Sequence, residues 1–168
     1  EALRRMGEKA AAFRCFCYGE GECRPELERL VREGGLEAVV SFPGYRPNER
    51  LMEDYRNGRF QAVVLPSVAL SATEHEGIPV CLMETMAWGM PVIATRTGGI
   101  PELLADGSGL LVPDKDPDAL ADALLRLKDD PALRWETGEK GRRRVREAFD
   151  NRRNTEALLR LIIGSSET

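Results

Sequence analysis

The fold is decided by a stretch in the middle of the chain, residues 79–95, which reads Pro79-Val80-Cys81-Leu82-Met83-Glu84-Thr85-Met86-Ala87-Trp88-Gly89-Met90-Pro91-Val92-Ile93-Ala94-Thr95. Its first part predicts a helix over Pro79–Trp88, because proline suits the first turn of a helix and Gly89 suits the position just past its end. Its second part, Pro91–Thr95, is a short apolar run typical of a buried strand. A helix that leads directly into such a strand is typical of βαβ units, whose strands run parallel.

The same alternation of short apolar runs and helical patterns continues on both sides of this stretch. Five strands are predicted, over Phe13–Tyr18, Val39–Phe42, Ala62–Leu65, Pro91–Thr95 and Leu110–Val112. The connecting helices are predicted over Pro25–Glu33, Asn48–Asn57, Pro79–Trp88 and Pro101–Ala105. Beyond Val112 only helices are predicted, one capped by Asp116 ahead of Pro117, one over 131–149 and one over 151–163. We therefore expect an α/β fold, with a parallel sheet flanked by helices and a helical C-terminal segment.

The composition excludes several classes of protein. The 168 residues are 42% hydrophobic and 31% charged, which is ordinary for a soluble globular chain and excludes disorder. A net charge of −4 argues against a dedicated nucleic-acid binder, because such a protein needs a basic face for the phosphates. No apolar run approaches the ~20 residues that span a bilayer. The chain opens at Glu1 with neither an initiator methionine nor a signal-peptide pattern, so we interpret it as a fragment.

The cysteines favour a reducing compartment. Four cysteines accompany a single histidine in a chain large enough to need no disulfides, which is typical of a cytoplasmic protein. A zinc site built from Cys15, Cys17, Cys23 and His75 is one interpretation, and cysteines buried in the core are the other. We favour the core, because free cysteine is commonly buried and the two cysteines of the first predicted strand fall on one face of it. No metal site is expected.

Open parallel sheets bind ligands beyond the carboxyl ends of their strands, so the loops there are the candidate site. The most informative loop follows Leu65 and ends at Pro79, where a helix begins. Free backbone N–H groups and the positive end of that helix suit a diphosphate. Glu84 lies about 8 Å further along the helix at 1.5 Å per residue, within reach of a ribose. Glu76, on the loop, is placed to accept hydrogen bonds from sugar hydroxyls.

A purely structural interpretation of this loop stays open. Two acids eight positions apart prove little, because Glu20 and Glu28 have the same spacing, as do Glu139 and Glu147. Glu76 and Glu84 would then be solvated acids beside a capped helix. What distinguishes the pair is that it brackets a junction of strand, loop and helix.

Two other loops carry weaker patterns. Gly19-Glu20-Gly21-Glu22-Cys23 begins like a dinucleotide-binding glycine motif, but Arg24 stands where the third glycine belongs, and we favour a tight turn. In the Gly44-Tyr45-Arg46 turn, Tyr45 is suited to stack on a planar ring and Arg46 to meet a phosphate or a base carbonyl. A glycine turn with solvated side chains explains that sequence equally well.

The order of motifs along the chain resembles a known family. Residues 76–95, then Gly98-Gly99-Ile100-Pro101-Glu102, Asp106-Gly107 and Gly109-Leu110-Leu111-Val112-Pro113, closely resemble the family-4 glycosyltransferases, retaining and metal-independent enzymes of the GT-B fold. The match covers nearly the whole chain and is most similar to their C-terminal, donor-binding half. The sequence from Glu76 to Val80 is most similar to that of exopolysaccharide and colanic-acid-type transferases. The resemblance implies a Rossmann-like domain over residues 1–150 and, over 151–168, a helix that crosses back to an N-terminal domain absent from this chain.

The resemblance also implies roles for individual residues. Glu76 would hold the donor sugar at the reacting centre, and the amides of Gly77 and Ile78 would bind sugar hydroxyls. The amides of Val80 and Cys81 would face the diphosphate, and Glu84 would bind the ribose. The turn with Tyr45 and Arg46 would lie against the nucleobase. Where many relatives have glycine this chain has Pro79, which removes one N–H from the loop.

The function implied is transfer of a hexose from a nucleoside diphosphate sugar, of UDP or GDP type, to a hydroxyl of a glycan or lipid-linked acceptor, without a metal or other cofactor. The acceptor domain lies outside the chain, so we expect no turnover from these residues alone. The alternative is a non-catalytic nucleotide-sugar-binding subunit of a split enzyme; an epimerase of the same fold is disfavoured by the Glu76 and Glu84 motif.

Two surface features bear on partners and location. The basic run of residues 140–146 is either a solvated helix face or a peripheral contact with the anionic inner face of the plasma membrane. The last helix is apolar on more than one side, through Leu158, Leu159, Leu161, Ile162 and Ile163. It is therefore expected to favour self-association when its partner domain is absent.

Overall fold

The computed structural model describes residues 1–69 and 77–164. The strands are β1 (Cys15–Tyr18), β2 (Val40–Gly44), β3 (Val63–Leu65), β4 (Val92–Thr95) and β5 (Leu110–Val112). The helices are α1 (Ala2–Arg5), α2 (Arg24–Glu33), α3 (Asn48–Arg56), α4 (Val80–Ala87), α5 (Ile100–Leu103), α6 (Pro117–Asp129), α7 (Pro131–Ala148) and α8 (Asn151–Gly164). Short 3-10 helices lie at Gly7–Ala12 and Ala105–Gly107. The predicted α/β fold is confirmed, and every predicted strand and helix is present.

The strands form two parallel sheets where one was predicted. β1 pairs with β2, and β4 lies between β3 and β5. In the first sheet the register shifts between Phe16 and Tyr18, opposite Pro43, which has no N–H to donate to the ladder. Among the described residues no ladder joins β1 to β3.

The main core lies around β4. All four residues of this strand are buried, as expected for a parallel strand covered on both faces. Helix α4 packs on it through Leu82 and Met86, and α5 through Ile100 and Leu103. These contacts fix the start of α4 relative to the carboxyl ends of β3 and β4.

Helix α7 packs closely against the end of α4 because of a glycine. A Cβ on Gly138 would lie 2.1 Å from the carbonyl oxygen of Gly89, so only glycine permits this approach. Gly89 itself has φ of +72°, the left-handed conformation that ends α4 as the sequence predicts.

The start of the C-terminal helices follows the predicted capping. The side chain of Asp116 accepts a hydrogen bond of 2.9 Å from the Ala119 N–H, and Asp130 accepts one of 2.9 Å from the Leu133 N–H. Proline follows each capping residue, where its missing N–H costs the helix nothing.

The N-terminal helical segment was not predicted from the sequence. Helix α1 and the 3-10 helix after it pack on α6 through Ala2, Met6 and Ala10, which meet Ala121. Two of these three residues are alanine, which leaves no strong apolar period, so the contact with α6 decides the helical conformation.

The last helix exposes its apolar side chains. Leu158, Leu159, Leu161, Ile162 and Ile163 are between 50% and 69% exposed. The structure therefore confirms the predicted helix, whereas its crossing to another domain, the boundary at residue 150 and self-association stay predictions.

Candidate functional site

The start of α4 forms the centre of the candidate site. Pro79 precedes the helix in an extended conformation, and intrahelical bonding begins with the N–H of Leu82, which donates to the Pro79 carbonyl at 3.1 Å. The N–H of Val80 comes before that first intrahelical bond, and the Val80 side chain is 62% exposed. Cys81 is also exposed. This helix end can therefore receive an anionic group from solvent.

The loop ahead of α4 rests on the loop after β4. A Cβ on Gly99 would lie 2.8 Å from Cγ1 of Ile78 and 3.2 Å from the carbonyl carbon of Gly77. Glycine at position 99 therefore allows the two backbones to approach each other. At the base of the same loops, the Thr95 hydroxyl donates to the Ser67 carbonyl at 2.5 Å. The second glycine of the Gly98-Gly99 pair thus positions Gly77 and Ile78.

Glu84 lies one helical turn beyond Val80 and is held by a residue of another helix. The Asn48 side chain donates from Nδ2 to Oε1 of Glu84 at 3.1 Å. The Oε2 atom has no hydrogen bond within the described residues. Glu84 is half-buried, so its second oxygen is available to a ligand that lies along α4.

Two further contacts keep α3 against α4. The Trp88 indole N–H lies 3.2 Å from the sulfur of Met52, and the Arg56 guanidinium stacks over the Trp88 ring at 5.1 Å from its centroid. These contacts stabilise the geometry in which Asn48 reaches Glu84. The turn that precedes α3 is therefore carried to the same side of the molecule as the start of α4.

That turn presents Tyr45 and turns Arg46 inward. Tyr45 is 77% exposed, as a stacking role requires. Nη2 of Arg46 pairs at 2.5 Å with Oδ2 of Asp54, a residue only 7% exposed, and its guanidinium lies 5.7 Å from the centroid of the Tyr18 ring. The sequence pattern treats Tyr45 and Arg46 as equivalent candidates, whereas the structure gives them different surroundings.

The first glycine-containing loop is held by internal contacts. Arg24 donates to Glu20 at 2.7 Å, to Glu28 at 2.9 Å and to the Phe42 carbonyl at 2.9 Å. A Cβ on Gly44 would lie 2.7 Å from Oε1 of Glu20. Arg24, at the position of the third glycine of a dinucleotide motif, thus ties the loop after β1 to β2.

Of the predicted site residues, Gly77, Ile78, Val80, Cys81 and Glu84 lie on one loop and the helix that follows it. The turn with Tyr45 and Arg46 is linked to α4 through Asn48, three residues after Tyr45, whose side chain contacts Glu84. Glu76 and His75 lie outside the described residues. Asn48 was missed by sequence reasoning, because no local pattern links a residue at the start of α3 to one in the middle of α4.

The cysteines belong to two environments. Cys15 and Cys17 project from the same face of β1 and are half-buried, while Cys23 and Cys81 are exposed. The expectation of core cysteines is therefore wrong for Cys23. Hydrogen bonding from Cys15 lowers the pKa of Cys17 to about 7, and the same contact, with burial, raises the pKa of Cys15. Within residues 1–69 and 77–164 no three metal-ligating side chains cluster. The same part of the chain contains no helix with the length and apolarity to cross a bilayer.

These features define an α/β protein with parallel sheets and an exposed helix N-terminus at the carboxyl ends of its strands. The family model "Glycosyl transferases group 1" matches residues 1–130. The chain therefore belongs to the group 1 glycosyltransferase family, and the resemblance to family-4 enzymes is confirmed.

Individual relatives agree with this assignment. Escherichia coli WcaL, provisionally described as a colanic acid biosynthesis glycosyltransferase, is 42% identical over 125 residues, which cover 74% of this chain and 30% of WcaL. Sucrose-phosphate synthase from Thermosynechococcus elongatus superposes with a TM-score of 0.76 at 28% identity, over 98% of this chain and 43% of that one. Anabaena Alr3699/HepE in complex with UDP has a TM-score of 0.75 at 23% identity, over 94% and 43%, and shows the fold alone. The chain spans less than half the length of these relatives.

Proposed function

We propose that this chain binds the nucleoside diphosphate sugar donor of a retaining glycosyltransferase of exopolysaccharide biosynthesis. The enzyme would transfer a hexose to a hydroxyl of a glycan or lipid-linked acceptor. The observation that carries this proposal is the arrangement on α4, where an exposed first turn is followed by Glu84, whose Oε1 is held by Asn48. Asn48 itself follows the turn that bears Tyr45. Diphosphate, ribose and base follow one another in the ligand in the same order.

Each part of the site has a role in the proposal. The amides of Val80 and Cys81 receive the diphosphate, and Oε2 of Glu84 accepts a hydrogen bond from a ribose hydroxyl while Asn48 holds Oε1. Tyr45 stacks on the nucleobase. Arg46, anchored on Asp54, fixes the turn and borders the base.

The sugar end of the donor lies on the loop that Gly99 supports. The amides of Gly77 and Ile78 bind sugar hydroxyls there, and Glu76 holds the sugar at the reacting centre. Rigid support is important because N–H donors stabilise a developing charge best when they are already in position.

The reaction in this proposal is departure of the nucleoside diphosphate through an oxocarbenium-like transition state, with attack by the acceptor hydroxyl on the same face. The leaving diphosphate gains negative charge, which the helix end and its amides stabilise without a metal. The acceptor is bound by a separate N-terminal domain. We expect this chain alone to bind the donor without turnover.

A cytoplasmic location with peripheral contact at the inner membrane face accompanies this function. A surface cavity between α7 and the start of α8 is lined by Trp135 and by both basic and acidic side chains, the acids being Glu136, Glu139 and Glu147. Among the described residues no carboxylate pairs with Arg143 or Arg146, so both guanidinium groups can meet anionic headgroups. Binding of the chain to vesicles with and without anionic lipid would test this contact.

The donor site is tested by titrating the chain with UDP, GDP and ADP by calorimetry. We expect one nucleotide to bind selectively, and Glu84→Ala to weaken it by about tenfold to a hundredfold, the range for a hydrogen bond to a charged group. Glu147→Ala, which removes an exposed acid of α7, serves as the matched control and should leave the affinity unchanged. Equal affinities for all three nucleotides, or equal losses in both variants, would contradict the proposed site.

A further inference from the structure

We propose that Glu20 selects the base of the nucleotide donor, and that the donor is a guanosine diphosphate sugar. This inference rests on the proposed function, because Glu20 lies at the base end of the same nucleotide site. Three features of that end support it: the position of the Glu20 carboxylate, the engagement of the neighbouring N–H donors, and the hydrogen-bonding groups of the possible bases.

The loop after β1 runs beside the turn after β2. The two strands pair in parallel, so Glu20 and Tyr45 both follow their strands at the same end of the sheet. The Gly19 N–H donates to the Gly44 carbonyl at 3.0 Å. A Cβ on Gly44 would lie 2.7 Å from Oε1 of Glu20. The Glu20 carboxylate therefore occupies the space that a side chain at position 44 would need, next to the residue proposed to stack on the base.

This carboxylate is fixed through one oxygen and open at the other. Arg24 donates from Nη1 to Oε1 of Glu20 at 2.7 Å, and its other two nitrogens donate to Glu28 and to the Phe42 carbonyl, each at 2.9 Å. Within the described residues no group donates to Oε2 of Glu20, and the side chain is 58% exposed. An ionised carboxylate accepts hydrogen bonds and donates none. An oriented acceptor is therefore available to a ligand beside Tyr45.

The N–H donors of the neighbouring side chains are already engaged. Nη2 of Arg46 pairs with Asp54 at 2.5 Å, and Nε of Arg46 is buried. Nδ2 of Asn48 donates to Glu84 at 3.1 Å. Each nitrogen of Arg24 also has an acceptor of its own. The charged and amide side chains around Tyr45 thus offer a base an open carboxylate oxygen, while their N–H groups are bonded within the protein.

The candidate bases differ in how well they suit such an acceptor. Uracil presents one N–H between two carbonyl oxygens, which a carboxylate repels. Guanine presents its N1–H beside its 2-amino group, so two donors meet one carboxylate in a charge-assisted pair. Each carboxylate oxygen has two lone-pair sites, so Oε1 of Glu20 can accept from the base while it remains bound to Arg24. Adenine has a single amino group beside an acceptor nitrogen. The acceptor at Glu20 therefore favours guanine.

The charge along the site agrees with this orientation of the nucleotide. The first turn of α4 is the proposed diphosphate site, where the positive helix end favours negative charge. Glu22 lies on the same loop as Glu20, is exposed, and has no ion-pair partner within the described ranges. Two acids on this loop repel phosphates and attract N–H donors, so the base and the diphosphate are directed to opposite ends of the site.

A purely structural role for Glu20 makes a different prediction. Glu20 would then serve only as a partner of Arg24, as Glu28 does at 2.9 Å from the same guanidinium. Loss of a structural contact weakens the binding of all nucleotides alike, whereas loss of a base contact weakens only those nucleotides whose base supplies the donors. The ratio of two nucleotide affinities therefore separates the two roles.

The experiment titrates the chain by calorimetry with GDP, inosine diphosphate and UDP. Inosine diphosphate lacks only the 2-amino group of GDP, so this pair of ligands compares hydrogen bonding at similar base stacking. The variants are Glu20→Gln, which removes the charge and retains the shape, and the matched control Glu28→Gln, which removes the other acid bound to Arg24. Urea denaturation verifies that both variants are folded.

We expect the unsubstituted chain to bind GDP at least about tenfold more tightly than inosine diphosphate and UDP, the lower end of the range for a hydrogen bond to a charged group. In Glu20→Gln the advantage of GDP over inosine diphosphate should fall to about threefold, because a neutral amide is the weaker acceptor. The affinity for UDP should change little. Glu28→Gln should retain the full advantage of GDP.

Equal affinities of the unsubstituted chain for GDP and inosine diphosphate would overturn the inference. Tighter binding of UDP than of GDP, or the same ratio in Glu20→Gln as in Glu28→Gln, would also overturn it. Glu84→Ala separates this result from the donor site itself, because a ribose contact serves every base. If Glu84→Ala weakens a nucleotide that shows no guanine preference, the donor site stands and Glu20 does not select the base. Failure of all three nucleotides to bind would contradict both.

Discussion

Asn48, at the start of α3, donates a hydrogen bond of 3.1 Å to Oε1 of Glu84, in the middle of α4. The two residues are 36 positions apart. The bond fixes the orientation of the carboxylate and links the turn that bears Tyr45 to α4, whose start is the proposed diphosphate site. Donor binding should therefore depend on Asn48, even though this side chain need not touch the ligand.

Asn48→Ala should weaken binding of the preferred nucleoside diphosphate by about threefold to tenfold, the value of one modest hydrogen bond. Asn48→Asp should weaken it more, because a second carboxylate beside Glu84 repels the first. Calorimetric titration measures both. Asn57→Ala, just beyond the other end of α3, is the control. Nucleoside diphosphate affinity unchanged in Asn48→Asp would show that Glu84 acts without this partner.

Gly99→Ala should destabilise the protein and displace the loop of Gly77 and Ile78, which is proposed to bind the sugar. Its Cβ would lie 2.8 Å from Cγ1 of Ile78, and overpacking of this kind costs about 1–3 kcal/mol in the free energy of unfolding. Urea denaturation measures the loss. Gly21→Ala is the matched control, because a Cβ there would meet nothing within 4 Å and the backbone has no positive φ. Equal stability of the two variants would contradict the close packing of the loops.

Tyr45→Ala should reduce nucleotide affinity by about tenfold or more, because base stacking on an aromatic ring contributes about 1–3 kcal/mol. Its effect on the free energy of unfolding should stay within about 0.5 kcal/mol, since the side chain is 77% exposed. Trp135→Ala removes another aromatic side chain, 72% exposed, away from the site and should leave affinity unchanged. If both variants bind as the unsubstituted chain does, Tyr45 does not stack on the base.

Alkylation of Cys17 should depend on pH with a midpoint near 7. The Cys15 thiol donates to Cys17 and lowers its pKa to about 7, so the reactive thiolate predominates above that pH and falls about tenfold per unit well below it. The rate of reaction with iodoacetamide, followed by mass spectrometry that locates the modified cysteine, measures this midpoint.

Cys15→Ala should move the Cys17 midpoint upward, toward the ordinary value of 9.0. Thiolate fraction and intrinsic nucleophilicity change in opposite directions, so the rate at pH 7.5 should fall about fourfold. Exposed Cys23 provides the internal control. A Cys17 midpoint that does not move would show that hydrogen bonding from Cys15 is not the cause of the lowered pKa.

The α/β fold was predictable because its signals are local. Asp116 followed by Pro117, and Gly89 after an apolar helix, mark the ends of elements through capping that needs no distant partner. The short helix α1 was missed because its signal is not local. Its alanine and methionine side chains are buried only by packing against α6, which lies far away in the sequence.

For the site, the sequence alone determined which residues stand on the loops at the carboxyl ends of the strands, because alternation of strands and helices places those loops on one side of the sheet. Tertiary structure decided which of them meet. It joined Asn48 to Glu84, turned Arg46 toward Asp54 and set Gly99 against Ile78. Contacts between residues far apart in the chain depend on how whole helices and strands pack, and no local pattern of residues specifies that packing.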